Sequence, residues 1–315
     1  MEAIAERKHA RVALNAVATP RPKYRQLHVE YDPETASVWT YLKPAGTACF
    51  NLGLLKDLRS NDEQFEHNHG QALHQGALAP VDYFVLASGI EHLFNYGGDL
   101  ALFILLIKSR DREALLHYAR LCVDCVHARI CNYNTSAVTI SLVQGDALGG
   151  GFEYALTSNL IVAEESARMG FPEILFNLFP GMGAYSLLTR RLSARLAEQI
   201  ILGGRIYNAH ELRELGIVDV LVPDGAGEQA VYDLIRRNRR RLSGMRALYQ
   251  CRQHTLPISY QELMHITENW VDAALRLNDR DLRMMGRLVR AQLRQQELRK
   301  QGRPIEDDSN WAVED

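Results

Sequence analysis

The sequence predicts an α/β protein in which helices cross over between parallel strands, followed by an all-helical C-terminal extension. Two observations support this prediction. Short apolar runs alternate with longer amphipathic segments as far as Val222, and no strand pattern returns beyond Gly227. The 315 residues are 47% hydrophobic and 23% charged, which is typical of globular proteins and excludes rods and disordered chains. This length suits one large domain with an appendage.

Seven extended runs predict strands because they are short, rich in β-branched or aromatic residues and bounded by turn residues. The first two flank Pro33 and predict a hairpin. The fourth alternates Val138 and Ile140 with Thr139, which predicts one buried and one polar face. The runs are Gln26–Tyr31, Ser37–Leu42, Val81–Ala87, Ala137–Val143, Leu160–Ala163, Arg168–Gly170 and Ile217–Val222.

Segments with apolar residues at helical spacing predict helices between these strands. Asn51 is a candidate N-cap for the first, and Asp99 precedes the second. The predicted helices are Asn51–Gln75, a helix from Asp99, Arg112–Arg129, a helix from about Gly150, most of Tyr185–Leu202, and Ala209–Leu215.

Three segments follow from this pattern: a flexible arm at 1–24, a core at 25–227, and a helical region at 228–315 that ends in an acidic tail. No apolar run approaches the roughly 18 residues of a membrane span, and the first twenty residues lack the apolar core of a secretory signal. Five cysteines at irregular spacing fit a reducing compartment, so we expect a cytoplasmic protein.

The charges are distributed unevenly along the chain. Residues 236–303 carry 16 Lys or Arg against 6 Asp or Glu, although the whole chain has a net charge of −2. The run Arg236, Arg237, Arg239, Arg240 and Arg241 lacks the aromatic context of a nucleic-acid site. An acidic protein partner is the preferred interpretation, and a solvated helix face is the alternative. The sequence leaves open whether this run or the later arginines meet the partner; the later set is Arg283, Arg287, Arg290 and Arg294.

Gly149, Gly150 and Gly151 stand where a strand pattern turns into a helix pattern. Such a turn leaves backbone N–H groups free at a helix N-terminus. Neither the Lys-Ser/Thr pair nor the glycine spacing of the phosphate-binding loops is present. Glu153 lies on the same helical face as the Gly150 amide, three residues earlier. A donor beside a carboxylate suits a carbonyl that becomes an oxyanion while a proton moves.

Two further features predict the same chemistry. Glu173 supplies a second carboxylate 20 residues after Glu153. Gly97 and Gly98 end another loop and offer a second N–H donor. Two donors and two carboxylates form a complete set for proton chemistry at the α and β carbons of an acyl group. The competing interpretation is that the glycines form turns and the glutamates are surface charges.

Four stretches resemble signature segments of the crotonase (enoyl-CoA hydratase/isomerase) superfamily, within a match over about residues 26–225. They are Gly89–Leu100, Leu148–Glu153, Pro172–Gly183 and Leu202–Pro223. The resemblance implies a spiral of ββα units and assembly as a homotrimer or hexamer. It also implies that enzymes of this kind stabilise a thioester enolate.

The resemblance assigns catalytic roles to four residues: Gly98 and Gly150 supply the oxyanion-hole amides, and Glu153 and Glu173 form the acid/base pair. In a dehydration, Glu173 is expected to take the Cα proton and Glu153 to protonate the leaving hydroxyl, and these two roles can be exchanged. Substrate contacts are expected from Gly97, Leu148, Gly149, Phe152, Phe176, Met182 and Trp270, with ordinary core packing as the alternative for the larger side chains.

Three features are similar to one branch, the diffusible-signal-factor synthases: Asn95–Leu100, Phe152–Tyr154 and the Arg-rich helical end. Tyr96 departs from the superfamily, which usually has a small residue there, and Asn177 stands where glycine is usual. The branch implies dehydration of a 3-hydroxyacyl-acyl carrier protein, thioester hydrolysis, and release of a cis-2-unsaturated fatty acid signal. The alternatives are an ordinary enoyl-CoA hydratase or isomerase, and a binding protein for the receiver domain of a sensor kinase.

No metal or cofactor is expected from the remaining motifs. Cys122 and Cys125 form a Cys-x-x-Cys pair on a predicted helix without a second pair. His67, His69 and His74 are interpreted as an exposed face of the first helix. A Gly-x-Ser-x-Gly elbow is absent from the sequence, so thioester cleavage would have to use the glutamates and water.

Overall fold

A computed structural model describes residues 23–301. The predicted arm at 1–24 lies outside the described residues except for its last two, and so does the acidic tail. The described chain is an α/β structure in which only helices follow Val222, so the predicted fold class is confirmed.

The strands form three sheets. The strands are β1 (Leu27–Asp32), β2 (Ser37–Leu42), β3 (Gln71–His74), β4 (Ala77–Pro80), β5 (Tyr83–Ser88), β6 (Leu93–Asn95), β7 (Val138–Val143), β8 (Asp146–Leu148), β9 (Leu160–Glu164), β10 (Arg168–Gly170), β11 (Ile206–Asn208) and β12 (Val220–Val222). The large sheet has the order β1-β2-β5-β7-β9-β12, and only the β1–β2 pair is antiparallel. The small sheet has the order β11-β10-β8-β6, and β3 pairs with β4.

Helices connect these strands and then form the C-terminal part. They are α1 (Leu52–His67), α2 (Leu100–Lys108), α3 (Arg112–Ile130), α4 (Gly150–Leu156), α5 (Ala184–Thr189), α6 (Ala194–Gly203), α7 (Ala209–Glu214), α8 (Gly227–Asn238), α9 (Leu242–Thr255), α10 (Tyr260–Ala274) and α11 (Asp279–Lys300). Short 3-10 turns cover Asn132–Asn134, Pro172–Phe176 and Arg239–Arg241. Among residues 23–301, none of these helices has the length and apolar character needed to cross a bilayer.

The central strands of the large sheet, β5, β7 and β9, are buried on both faces. Val138 and Ile140 of β7 face α8 and pack with Val231 and Ile235. Thr139 of the same strand is also fully buried, and its hydroxyl bonds Asn159. The polar face predicted for β7 is therefore buried as well. Helices cover both sides of the parallel part of the sheet, whereas its edge strands β1 and β12 are only partly buried.

The predicted helix caps are confirmed. The side chain of Asn51 accepts a hydrogen bond from the amide of Leu54, and that of Asp99 from the amide of Leu102. Each cap satisfies one of the free N–H groups of the first helical turn. Both caps matter for the fold because they fix where α1 and α2 leave the loops beside the small sheet.

The first predicted helix is too long. It ends at His67, and residues up to Gln75 instead enter the β3–β4 hairpin. The turn at Gln75-Gly76 has positive φ at both residues, which allows a tight hairpin turn. His67 ends α1, His69 has a φ of 50° and His74 lies in β3, so the three histidines do not share one helix face. The three-residue strands β6, β8 and β11 were likewise not predicted.

The small sheet positions the functional loops. Strands β6, β8 and β10 are parallel neighbours. Their carboxyl ends therefore meet at one edge of the sheet. Asn95 ends β6, Leu148 ends β8 and Gly170 ends β10, and the two glycine loops and Glu173 follow directly.

Candidate active site

The first loop turns sharply after β6. Gly97 has a φ of +89°, a conformation that favours glycine. Its amide donates to the Asn95 side chain over 2.7 Å, and its carbonyl accepts from Phe50 over 2.8 Å. A Cβ on Gly98 would lie 2.6 Å from the ring of Phe103. The loop is thus fixed from both sides, and only glycine fits at its two central positions.

The second loop lies against the first. The Gly149 amide donates to the Gly170 carbonyl over 2.8 Å, and α4 begins at Gly150. A Cβ on Gly150 would lie 3.5 Å from the Gly98 nitrogen, so the two loops are in close contact. Within residues 23–301, neither the Gly98 nor the Gly150 amide has a backbone acceptor. The two donors are therefore available to one ligand oxygen.

Glu153 lies one turn into α4 and is 1% exposed. Its Oε1 accepts hydrogen bonds from the amides of Met182 and Ala184, each over 2.8 Å. Burial raises the pKa of the Glu153 carboxyl to about 7, while these N–H donors act in the opposite direction by favouring the carboxylate. The group therefore titrates near neutral pH.

Glu173 belongs to the 3-10 turn after β10. Its carboxylate lies against the second loop, since a Cβ on Gly149 would be 2.3 Å from Oε1. The other oxygen, Oε2, is buried and has no hydrogen-bond partner among the described residues. Burial, and then the charge of Glu153, raise the pKa of Glu173 well above its usual value.

The two carboxyl groups differ in what stabilises their charge. Backbone N–H groups stabilise the carboxylate of Glu153, whereas Glu173 has a buried oxygen without a donor. At neutral pH the free site therefore favours a proton on Glu173 and a charge on Glu153. This difference in environment bears on which glutamate is the base and which is the acid, two roles that the sequence leaves exchangeable.

A narrow cleft of about 60 Å³ lies over both loops. Of the five larger side chains expected to contact the substrate, four line this cleft: Leu148, Phe176, Met182 and Trp270. Gly98, Gly149, Gly150 and both glutamates line it as well. Phe152 does not, because its fully buried ring stacks on Phe171 with centroids 4.9 Å apart. Gly97 also lies outside the lining and shapes the loop instead.

Several residues that line the cleft were not predicted from the sequence. Phe103 meets Trp270 edge to face at 5.0 Å, and Tyr118 and Cys122 come from α3. The position of Phe103 on the first turn of the helix after the glycine loop was a usable signal. The remaining unpredicted lining residues are Tyr96, Leu100, Ala119, Pro172, Leu178, Gly181, Ile206, Thr267, Leu288 and Gln292.

The cysteine pair lies in the interior of the protein. Cys122 and Cys125 are both buried in α3, and the Cys125 thiol contacts the Leu55 carbonyl oxygen at 3.7 Å. Among residues 23–301 there is no group of three His, Cys, Asp or Glu side chains that could hold a metal ion.

The comparison with known proteins identifies the family. The enoyl-CoA hydratase/isomerase family model matches residues 61–257, which include both loops and both glutamates. The chain belongs to this family.

Curated relatives match shorter stretches of the chain. A probable enoyl-CoA hydratase of Rhizobium meliloti is 40% identical over 99 residues, which are 31% of this chain and 38% of the relative. The fatty acid oxidation complex subunit alpha of Pseudomonas syringae is 36% identical over 164 residues, 51% of this chain and 22% of that protein. The matches thus span less than two fifths of either relative.

Solved structures show the same crotonase fold. Human mitochondrial Δ3-Δ2-enoyl-CoA isomerase aligns with a TM-score of 0.68 at 16% identity, covering 84% of this chain and 97% of the isomerase. DspI of Pseudomonas aeruginosa aligns with a TM-score of 0.61 at 23% identity, covering 79% of this chain and 95% of DspI.

The structure explains how two departures from the usual pattern of the enoyl-CoA hydratase/isomerase family are accommodated. Asn177 has a φ of 60°, so it adopts the left-handed conformation that glycine would otherwise supply. Tyr96 is 3% exposed and lines the cleft. Its hydroxyl bonds Arg299 of α11, and Arg299 pairs with Asp146 over 2.8 Å. Tyr96 therefore ties the C-terminal helix to the first loop.

Proposed function

We propose that the cleft dehydrates a 3-hydroxyacyl thioester. The observation that carries this proposal is the placement of Glu153 and Glu173, two carboxyl groups in unlike environments beside two free glycine amides. Elimination of water across Cα and Cβ requires one proton acceptor, one proton donor and stabilisation of a developing oxyanion. The described residues of the cleft supply all three.

The steps follow from this placement. The thioester oxygen accepts hydrogen bonds from Gly98 and Gly150, which acidifies the Cα–H bond. Glu153 takes that proton, and the released electron pair forms the Cα=Cβ bond as the C3–O bond breaks. Glu173 gives its proton to the departing hydroxyl, which leaves as water. A proton passed from Glu153 to Glu173 restores the site.

Exchange of the Cα proton tests the assignment of base and acid. A dodecanoyl thioester has no C3 hydroxyl, so it can exchange its Cα proton in D₂O but cannot be dehydrated. We expect the wild-type protein and Glu173→Gln to catalyse this exchange, and Glu153→Gln to lose it. Exchange that survives in Glu153→Gln and is lost in Glu173→Gln would restore the opposite assignment.

We further propose that the product is a free medium-chain cis-2-unsaturated fatty acid that acts as a quorum-sensing signal. This rests on the resemblance of Asn95–Leu100, Phe152–Tyr154 and the arginine-rich C-terminal helices to the diffusible-signal-factor synthases. Water would attack the thioester carbon, one glutamate would take its proton, and the thiol of the carrier would leave. The oxyanion loops would serve both steps.

One experiment tests the product directly. Purified protein is incubated with 3-hydroxydodecanoyl-acyl carrier protein, and the mixture is analysed by mass spectrometry and by comparison with cis and trans standards. We expect a free cis-2-enoic acid, and none with Glu153→Gln. A trans-2-enoyl thioester without free acid would contradict the signal-synthase proposal and leave a plain dehydratase.

The second candidate function is that of an enoyl-CoA hydratase, whose substrate is an acyl thioester of coenzyme A. The family match and the names of the curated relatives favour it. The exposed arginines of α11, on the helix that places Leu288 and Gln292 in the cleft, favour an acidic carrier protein instead. The receiver domain of a sensor kinase and trimeric or hexameric assembly stay predictions of the resemblance. A protein that only bound the receiver domain would need neither glutamate.

A further inference from the structure

A second, larger cavity of about 630 Å³ lies away from the cleft and shares no lining residue with it. Four parts of the chain form its walls: residues 130–136 at and after the end of α3, residues 156–159 at and after the end of α4, residues 187–191 at and after the end of α5, and residues 250–258. A volume of this size is typical of sites for small organic ligands.

The cavity is lined by basic side chains, without an acidic residue among its described walls. Arg190, Arg191, Arg252 and His254 contribute to the lining. Arg190 is neutralised, because its guanidinium pairs with Glu262 over 2.8 Å. The other two arginines have no such ion pair among the described residues.

Arg191 and Arg252 have only weak compensation for their charge. Arg191 donates to the carbonyl oxygens of Leu156 over 3.2 Å and Ser158 over 2.5 Å. Arg252 lies over the ring of Tyr249, 4.9 Å from its centroid. Asp219 acts on both arginines only at a distance, and its own carboxylate accepts from the Ile161 amide over 2.7 Å.

Burial makes this arrangement costly for the positive charges. It lowers the pKa of Arg191 to about 10 against the opposing charge of Asp219, with the charge of Arg252 adding to the lowering, and it also lowers the pKa of Arg252. A charge held out of water without an ion pair is destabilising. An anion in the cavity would remove that cost while leaving the carbonyl contacts of Arg191 in place.

We propose that this cavity binds a small organic phosphate. Two guanidinium groups without an ion pair among the described residues match a dianion, and a phosphate monoester offers three acceptor oxygens to the arginine forks. The hydroxyl and amide side chains of the walls add further donors, and the remaining volume is bordered by apolar side chains that suit an organic group. The donors are Asn134, Thr135, Ser136, Asn159, Gln250 and Gln253, and the apolar residues are Leu187, Leu256 and Ile258.

The position of the cavity makes the ligand an effector rather than a substrate. Leu156 ends α4, the helix that begins at Gly150 and carries Glu153, and Leu187 lies in α5, which holds the Glu153 carboxylate through Ala184. A ligand here would contact both helices that position Glu153 without entering the cleft.

Calorimetric titration of the purified full-length protein at constant ionic strength tests this site. The probes are n-hexyl phosphate, inorganic phosphate and hexanoate. We expect n-hexyl phosphate to bind most tightly, inorganic phosphate at least several-fold more weakly, and hexanoate most weakly because it carries one charge. Equal affinity for n-hexyl phosphate and hexanoate would overturn the assignment to phosphate.

Substitutions locate the binding. Arg252→Gln should weaken n-hexyl phosphate binding at least ten-fold and leave dehydration without ligand unchanged. Arg237→Gln removes the same charge from the exposed surface of α8 and should leave binding unchanged. A second variant, Ser136→Trp, keeps both arginines and fills the cavity from its rim, and it should also abolish binding. Equal weakening by Arg237→Gln, or unchanged binding in Arg252→Gln, would overturn the proposal.

Discussion

The two sides of the large sheet differ in what their helices do. On one side α8 and α9 pack on the sheet through Val231, Ile235 and Leu242, and no residue of either helix lines the cleft. On the other side α10 and α11 contribute Trp270, Leu288 and other walls of the cleft. All four helices are amphipathic, and arginines stand at the end of α8 and along α11, so the sequences alone do not distinguish a cover from a catalytic wall.

The arginines illustrate this difference. The run at 236–241 ends α8 on the back of the sheet, where Arg236 pairs with Asp233 and Glu34. Arg283, Arg287, Arg290 and Arg294 lie exposed on α11, whose other face reaches the cleft. Of the two arginine groups left open by the sequence, we therefore propose that the one on α11 receives a carrier protein that delivers an acyl chain, because α8 contributes no described residue to the cleft.

The largest effects are expected from the two glutamates on the cleft side. Glu153→Gln or Glu173→Gln should each lower the dehydration rate by about two to four orders of magnitude, the usual contribution of a positioned acid or base. Steady-state kinetics on a 3-hydroxyacyl thioester measures this. Glu165→Gln, an exposed position, is the control. A variant that kept more than half of the wild-type rate would show that its glutamate is not catalytic.

The next effect concerns the amide of Gly150. In Gly150→Val the new side chain meets the flexible end of Met182, 2.7 Å from the ideal Cβ, so we expect the protein to fold. The same side chain crowds the thioester and the donor, and loss of one such donor costs roughly 3 kcal/mol, about a hundred-fold in rate. Gly203→Val adds the same side chain in open space. Normal turnover by Gly150→Val would end the oxyanion-hole assignment.

The pH dependence should show the raised pKa of Glu153. Dehydration should fall as the pH drops below about 7, because the base becomes protonated. Stability should change in the other direction: the folded state holds the proton more tightly than the unfolded state, so unfolding free energy falls as the pH rises from about 4.5 to about 7.

Glu153→Gln should remove this slope and stabilise the protein at pH 8 by about 1–3 kcal/mol. Urea unfolding of both proteins at pH 5 and pH 8 measures the difference. A stability gap between the two proteins that does not change with pH would contradict the raised pKa.

A smaller effect is expected on α11. Reversing Arg283, Arg287, Arg290 and Arg294 to glutamate should lower kcat/KM for the carrier-protein substrate several-fold or more, with a smaller change for the matched coenzyme A thioester. Surface charge acts mainly on the association rate. Measuring both substrates at low and high salt separates steering from damage to the cleft, because salt screens only the former. An equal fall for both substrates at every salt concentration would refute carrier docking on α11.

The smallest effect is expected on the opposite side of the sheet. Reversal of the run at 236–241 should change kcat/KM for either substrate by less than two-fold, since α8 is remote from the cleft walls. The five reversed charges also serve as the control for the α11 variant. If this variant lowered kcat/KM for the carrier substrate as much as the α11 variant does, the docking surface would be assigned to this run instead.

The sequence by itself determined the local chemistry. Glycine repeats mark where a backbone must turn or be approached closely, and the spacing of Glu153 from Gly150 follows from helical geometry. The caps Asn51 and Asp99 and the strands β1, β2 and β7 follow from equally local rules. These features depend on residues near one another in the chain, so they can be recognised without the fold.

Only the tertiary structure decided what depends on distant residues. The amides that hold the Glu153 carboxylate come from Met182 and Ala184, and the missing partner of Glu173 Oε2 is a property of the packed site. From the sequence, Phe152 is expected to line the acyl pocket, but its ring stacks on Phe171 in the core. Likewise, arginines cluster at the end of α8 and along α11, and only the packing decides that α8 covers the large sheet while α11 lies against α2 and lines the cleft.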